Sequence, residues 1–260
     1  MNKNSVRISA YKRLGGVGIH SAVDEEGATL KSAPWFSISW LFAFFLLYSV
    51  GVWLYTVFLR IQGDLADSEQ IEEYLMRPES LAGAAFFSWI LVLPALVLAA
   101  RSVCRPWWRG LGLVPIRLKS LTVWVLVLAL YLALESMLLE FFRVESGDFV
   151  AQMVGQREPF LILAIVLWAP LTEELLFRGY LFGVWRHTAI GFWGTLLFTS
   201  LLFAFLHIQQ YGLIPLVSVF CFGLLMGVAR EKSGSVWLPI VLHGLANLVS
   251  VIAVNFLGFV

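Results

Sequence analysis

Charge is scarce in this chain. Asp, Glu, Lys and Arg make up 13% of its 260 residues, about half of what a soluble domain carries. A single soluble core of this length still exposes much of its surface, so a composition that is 60% hydrophobic excludes a soluble globular enzyme. It equally excludes a disordered chain. Cysteine is scarcer still: Cys104 and Cys221 sit at the edge and in the middle of apolar runs, with no CxxC. That rules out a disulfide framework and a zinc knuckle, and both read as packing residues. No basic stripe is present that would track a phosphate backbone, so nucleic acid is not an expected partner. The first 34 residues lack the apolar region and cleavage site of a signal peptide, and no internal repeat is visible. What remains is a polytopic membrane protein.

About 20 apolar residues carry a helix across a bilayer. Runs at 37–59, 81–104, 118–142, 159–185, 189–208, 212–229 and 235–258 qualify. The expected fold is therefore an all-α transmembrane helical bundle of about seven spans, with eight as the upper count, enclosing a polar cavity. Gln209, Gln210 and Tyr211 are almost all that separates the fifth and sixth runs, which predicts a tight helical hairpin. Pro94, Pro170, Pro215 and Pro239 fall within or near spans, where membrane helices accept them. Three parts follow: a polar tail over 1–34, N-terminal membrane helices over 35–158, and a second helical group over 159–260. Of the 18 Lys and Arg, fourteen fall on one side, in the tail, the 101–119 connection, and the segments of Arg178 with Arg186 and Arg230 with Lys232. Arg60, Arg77, Arg143 and Arg157 fall on the other. The asymmetry places the tail inside the cell. Asp64, Asp67, Glu69, Glu72, Glu73 and Glu79 read as a solvated outer loop. Gly223 and Gly227 form a GxxxG that suits close helix packing within the bundle.

A charged group at bilayer depth costs about 2.5–3.5 kcal/mol on insertion scales, so such groups usually mark function. Glu140 and Asn255 lie near span ends and are expected to reach water. Glu135 lies one turn deeper, as a buried acid or a packing residue. Three local patterns stand apart. In Glu173-Glu174-Leu-Leu-Phe-Arg178, adjacent residues point about 100° apart on a helix, so the two acids cannot serve one face. Glu174 and Arg178 are spaced to pair, which leaves Glu173 to face a cavity. It then serves as general base or acid, unless all three charges form one structural triad. Phe203 lies one turn before His207 and would cover its ring; a lone histidine there is also compatible with packing. His243 and Asn247 share a helical face, with Gly244 allowing another chain close.

EExxxR (Glu173, Glu174, Arg178), FxxxH (Phe203, His207) and HxxxN (His243, Asn247) occur in that order in consecutive apolar segments. The set resembles the CPBP family of CAAX proteases and bacteriocin-processing enzymes, also called Abi, which includes the Ras-converting CAAX prenyl endopeptidase. That enzyme cuts after a prenylated cysteine. The likeness covers about residues 159–258, and the N-terminal spans carry no matching motif. It implies an intramembrane endopeptidase whose helical bundle encloses a polar cavity open to the cytoplasm. By resemblance, Glu173 activates the attacking water and His207 binds or orients it. His243 and Asn247 stabilise the oxyanion, while Glu174 and Arg178 hold the motif together and Phe203 supports it.

The resemblance leaves the cofactor as none or zinc. Glu173, His207 and His243 are acceptable zinc ligands in type, but HExxH is absent and no ligand pair sits at i, i+4, so a metal-free glutamate base is the first expectation. Expected partners are a membrane protein or peptide substrate and the lipid bilayer, in a bacterial inner (cytoplasmic) membrane with the N-terminus cytoplasmic. Two other classes compete. A non-catalytic scaffold or bacteriocin-immunity protein would keep the bundle and tolerate Gln at position 173. A proton-coupled transporter would relay through Glu173 and His207, yet it calls for two related halves, which the sequence does not show.

Overall fold

In lipid every backbone N–H and C=O has to be satisfied within the chain, so long apolar runs fold as helices. The computed structural model describes residues 33–63, 71–75, 77–104, 106–144 and 157–256, and among them no strand occurs. Nine helices are described. The long ones are α1 (Ala33–Gln62), α3 (Pro78–Val103), α5 (Leu118–Phe141), α6 (Pro159–Trp185), α8 (Leu213–Ser233) and α9 (Trp237–Phe256). Between them lie α2 (Ile71–Leu75), α4 (Trp107–Gly110) and α7 (Gly191–Leu206). Six are long and apolar enough to cross a membrane, which makes this an integral membrane protein. The expected tail over 1–34 and the acids Asp64, Asp67 and Glu69 fall largely outside the described residues, while Glu79 is exposed as expected.

The expected fifth span, 189–208, is shorter than its apolar run. Helix α7 has 16 residues, about 24 Å at 1.5 Å per residue, against a hydrocarbon core of about 30 Å. Its start is delayed by Gly191 at positive φ. At its other end the chain tightens into three-residue bonds, from His207 N to Ala204 O at 2.9 Å and from Ile208 N to Phe205 O at 3.2 Å.

Contacts between connections sort the helix ends into two groups. The Trp185 indole, at the end of α6, donates to Ser37 near the start of α1 at 2.8 Å. Arg186 forks onto Glu231 at 2.8–3.0 Å, and that pairing holds its guanidinium pKa above the ordinary value. Val236 N donates to Gly112 O at 2.8 Å and Ser235 Oγ to Val114 O at 2.5 Å. The start of α1 and the connections after α3, α6 and α8 thus share one end. At the other, Arg157 before α6 donates to the carbonyl of Asn255 at 2.7 Å. The grouping is the one that the lysine and arginine distribution predicts. Asn255 itself is buried, not water-facing as expected, because Arg157 and α9 close over it.

Small residues let the helices approach. Ser88 Oγ of α3 donates to Tyr48 O of α1 at 2.9 Å, and a Cβ on Gly51 would meet Ser88 Cα at 2.3 Å. On α8, Gly227 faces Leu196 and Gly223 faces Ser200, so α7 and α8 run antiparallel and the GxxxG packs inside the bundle. Helix α5 packs on this core along one edge through Leu121, Trp124 and Tyr131, with Leu128 its one buried residue.

Candidate active site

The site is organised by α6, which is not a uniform α-helix. It widens into π turns over Ala164–Trp168 and Leu175–Leu181, a feature that recurs at functional positions. The first wide turn has a legible cause. Ala169 N donates five residues back to Ala164 O, so the next carbonyl, Ile165 O, would receive residue 170. Residue 170 is proline and has no N–H. Asn247 of α9 takes the vacant role, donating from Nδ2 to Ile165 O at 2.8 Å. Gly244 lies against the neighbouring carbonyl, 2.8 Å from Val166 O to where a Cβ would stand. Asn247 and Gly244 therefore join α9 to α6.

The second wide turn follows the paired acids. Glu174 and Arg178 are both fully buried, with Nη1 to Oε1 at 3.1 Å, the pairing that i, i+4 spacing predicts. The same Oε1 lies 2.9 Å from Nδ1 of His243, so α6 and α9 are joined a second time. Arg178 also donates to Gly223 O on α8 at 2.9 Å, and its own carbonyl receives Arg230 Nε at 2.9 Å. Arg230, read from sequence only as a topology marker, is a buried positioning residue. Its guanidinium occupies the space beside Gly112 where a Cβ would sit, and Gly112 has a positive φ. Residues 179–185 continue α6 and are mostly buried.

Glu173 is the exception to this pairing. It is half-buried and forms no hydrogen bond or ion pair with any described residue. It lies within electrostatic reach of Tyr211 and Tyr48. Tyr211 stacks on His207 with centroids 6.1 Å apart. Burial and then the Glu173 and Glu135 carboxylates hold the Tyr211 phenol above its ordinary pKa.

Phe203 is the hub of the aromatic wall. Its ring lies 4.8 Å from that of His207, 5.8 Å from that of His243 and 4.6 Å from the Arg178 guanidinium carbon. Phe222 of α8 closes the other side of His243 at 5.2 Å. These contacts put Phe203 level with His243, and His207 one turn beyond.

The two imidazoles differ in what they touch. His207 Nδ1 lies 2.8 Å from Phe203 O. A carbonyl only accepts, so Nδ1 carries a proton, which in the neutral ring leaves the lone pair on Nε2. His243 Nδ1 faces a carboxylate instead, which supports either the neutral ring or the imidazolium. Among the described residues no three His, Cys, Asp or Glu side chains are grouped as a metal site, so Glu173, His207 and His243 are not brought together as a zinc ligand set. A separate cleft of about 340 Å³, lined by Phe86, Trp89, Ile90, Leu93, Pro94 and Trp168, is apolar and holds none of these groups.

Sequence reading passed over Tyr211 and Phe222. Tyr211 had a signal, since it falls four residues after His207; Phe222 had none, being one of 21 phenylalanines.

Residues 155–249 match the family described as type II CAAX prenyl endopeptidase Rce1-like. An uncharacterized 24.3 kDa protein of Escherichia coli is 35% identical over 156 residues, covering 60% of this chain and 66% of its own length. No solved structure matches. The matched stretch contains all seven motif residues, from Glu173 to Asn247.

Proposed function

We propose that this chain, whose C-terminal helices belong to the CAAX protease family, is an intramembrane endopeptidase acting on membrane-associated proteins or peptides. The observation that carries the reading is the division of labour between adjacent acids. Glu174 is held by Arg178 and His243, while Glu173 is unpartnered and half-buried.

In this reading the Nε2 lone pair of His207 accepts one hydrogen of a water molecule, and Glu173 removes the other as general base. The water oxygen bonds to the scissile carbonyl carbon. His243, with Glu174 supporting its imidazolium, donates from Nε2 to the oxyanion, a contact worth about 3–4 kcal/mol in a water-poor site. Glu173 then passes its proton to the leaving nitrogen as the C–N bond breaks. Asn247 acts through α9 as a positioning residue, because its Nδ2 already serves Ile165 O. The residues present do not form a three-ligand metal group, and no step is routed through one. A cytoplasmic N-terminus rests on the fourteen-to-four distribution of Lys and Arg, and an inner (cytoplasmic) membrane is proposed as the location.

The test is cleavage of quenched peptides, lipidated and unlipidated, by detergent-purified protein. Glu173→Gln and His207→Ala are each expected to lose about 10²–10⁴-fold in kcat, the range of a lost general base. Undiminished cleavage by Glu173→Gln would remove Glu173 as the base, equal cleavage by both variants would mean a contaminating protease, and no cleavage by well-folded wild type would favour the non-catalytic scaffold.

A further inference from the structure

No Asp or Glu occurs between Glu79 and Glu135, and the five charges in that interval are all basic: Arg101, Arg105, Arg109, Arg117 and Lys119. They gather where α3 gives way to α5. Two other cations at the same end of the bundle are used internally. Arg186 forks onto Glu231, and Arg230 is buried against Gly112 and the carbonyl of Arg178. Arg101, Arg109, Arg117 and Lys119 are instead exposed, and none forms a hydrogen bond or ion pair with any described residue.

Backbone contacts hold this connection still. A Cβ on Gly183 of α6 would stand 2.7 Å from Gly110 O, and Leu111 is almost wholly buried. Val236 N donates to Gly112 O at 2.8 Å and Ser235 Oγ to Val114 O at 2.5 Å, just before α9. The connection is therefore clamped to α6 and α9 by its inner side, while its basic side chains stay in the open. It joins neighbouring ends of two helices long enough to span, which puts it where hydrocarbon meets headgroups. Trp107 and Trp108 suit that level. Their rings meet edge to face at 6.0 Å, Trp108 is half exposed, and the Arg101 guanidinium lies 6.0 Å from the Trp107 ring.

We propose that the 101–119 connection is a docking face for anionic phospholipid headgroups, with Arg109, Arg117 and Lys119 supplying the charge and the two tryptophans anchoring it at the interface. Each cation close to an anionic membrane surface is worth about fivefold in affinity. A run of five with no acid among them, held in place and unpaired, fits phosphodiester headgroups better than the zwitterionic kind. The assignment goes beyond the endopeptidase reading and stands whether or not the chain cleaves peptides.

The test is lipid retention. Full-length protein in mixed micelles holding equal amounts of phosphatidylglycerol and phosphatidylcholine would be analysed by native mass spectrometry, and the ratio of the two bound lipids measured. The wild type is expected to retain phosphatidylglycerol by about tenfold or more over phosphatidylcholine, a preference that shrinks as salt rises. In the triple variant Arg109→Gln, Arg117→Gln, Lys119→Gln the ratio should fall below about twofold. The charge-conserving variant Arg109→Lys, Arg117→Lys, Lys119→Arg should keep it, which separates lost charge from a lost fold. Lys3→Gln, Arg7→Gln, Lys12→Gln removes the same charge from the N-terminal tail and should also keep it. No preference in the wild type, or one that survives the first variant, overturns the proposal. Equal loss in the tail variant would do so too, by showing that net charge and not this face selects the lipid.

Discussion

His243 and Arg178 meet on a single oxygen: Oε1 of Glu174 lies 2.9 Å from His243 Nδ1 and 3.1 Å from Arg178 Nη1. The acid that holds the helices together is therefore not the acid left without a described partner. Replacing Glu174 by Gln leaves a fully buried guanidinium without its counter-charge, a loss of about 3–5 kcal/mol. Glu173→Gln removes no described contact and is expected to hold within about 0.5 kcal/mol of wild type. Denaturation in detergent, run beside the cleavage assay, separates them: Glu174→Gln loses stability and activity together, Glu173→Gln activity alone. Equal destabilisation of both would mean that Glu173 is also structural.

Gly244 tests how closely α9 sits on α6. A methyl group there would stand 2.8 Å from the backbone oxygen of Val166, and backbone cannot swing aside as a side chain can. Gly244→Ala is expected to destabilise by about 1–3 kcal/mol, the usual cost of overpacking. Cleavage should fall with it, because His243 is carried on the same turn. An Ala variant with wild-type stability would show that α9 has room to shift.

Much of this was legible in the sequence, for physical reasons that differ from residue to residue. The Glu174–Arg178 pair follows from helical spacing alone, as does Phe203 over His207. Hydropathy exposes the long spans because lipid permits only self-satisfied backbone. It overstates α7, since apolarity continues through residues where Gly191 and the tight bonds after Phe205 have already ended the helix. Long-range partners leave no periodic trace. Nothing local says that Asn247 will meet Ile165, that Arg230 will reach the carbonyl of Arg178, or that Glu135 will meet Ser218. Those contacts depend on which helices become neighbours.

Metal removal is expected to leave cleavage unchanged. Glu173, His207 and His243 are not grouped as a three-ligand set among the described residues. Activity would be measured with and without a chelator, and zinc content determined on the same preparation. Loss on chelation, restored by zinc, would show that Glu173, His207 and His243 converge around a metal when substrate binds.

Pro170 and Asn247 offer the sharpest test of how α6 is built. The wide turn leaves Ile165 O without a donor because residue 170 lacks an N–H, and Asn247 supplies one from α9. Asn247→Ala strands that carbonyl, at a cost of about 1–3 kcal/mol. Pro170→Ala restores a backbone N–H one π turn along, so the two substitutions should not add. In a double-mutant cycle followed by denaturation in detergent, Pro170→Ala is expected to recover at least half of the stability lost in Asn247→Ala. Additivity within about 0.5 kcal/mol, the figure for independent sites, would sink the account. Cleavage should stay low in the double mutant even where stability returns, because the bond that ties α9 to α6 is still missing. If cleavage returned in full, Asn247 would be needed only to satisfy the carbonyl, and its grip on α9 would have no part in placing His243.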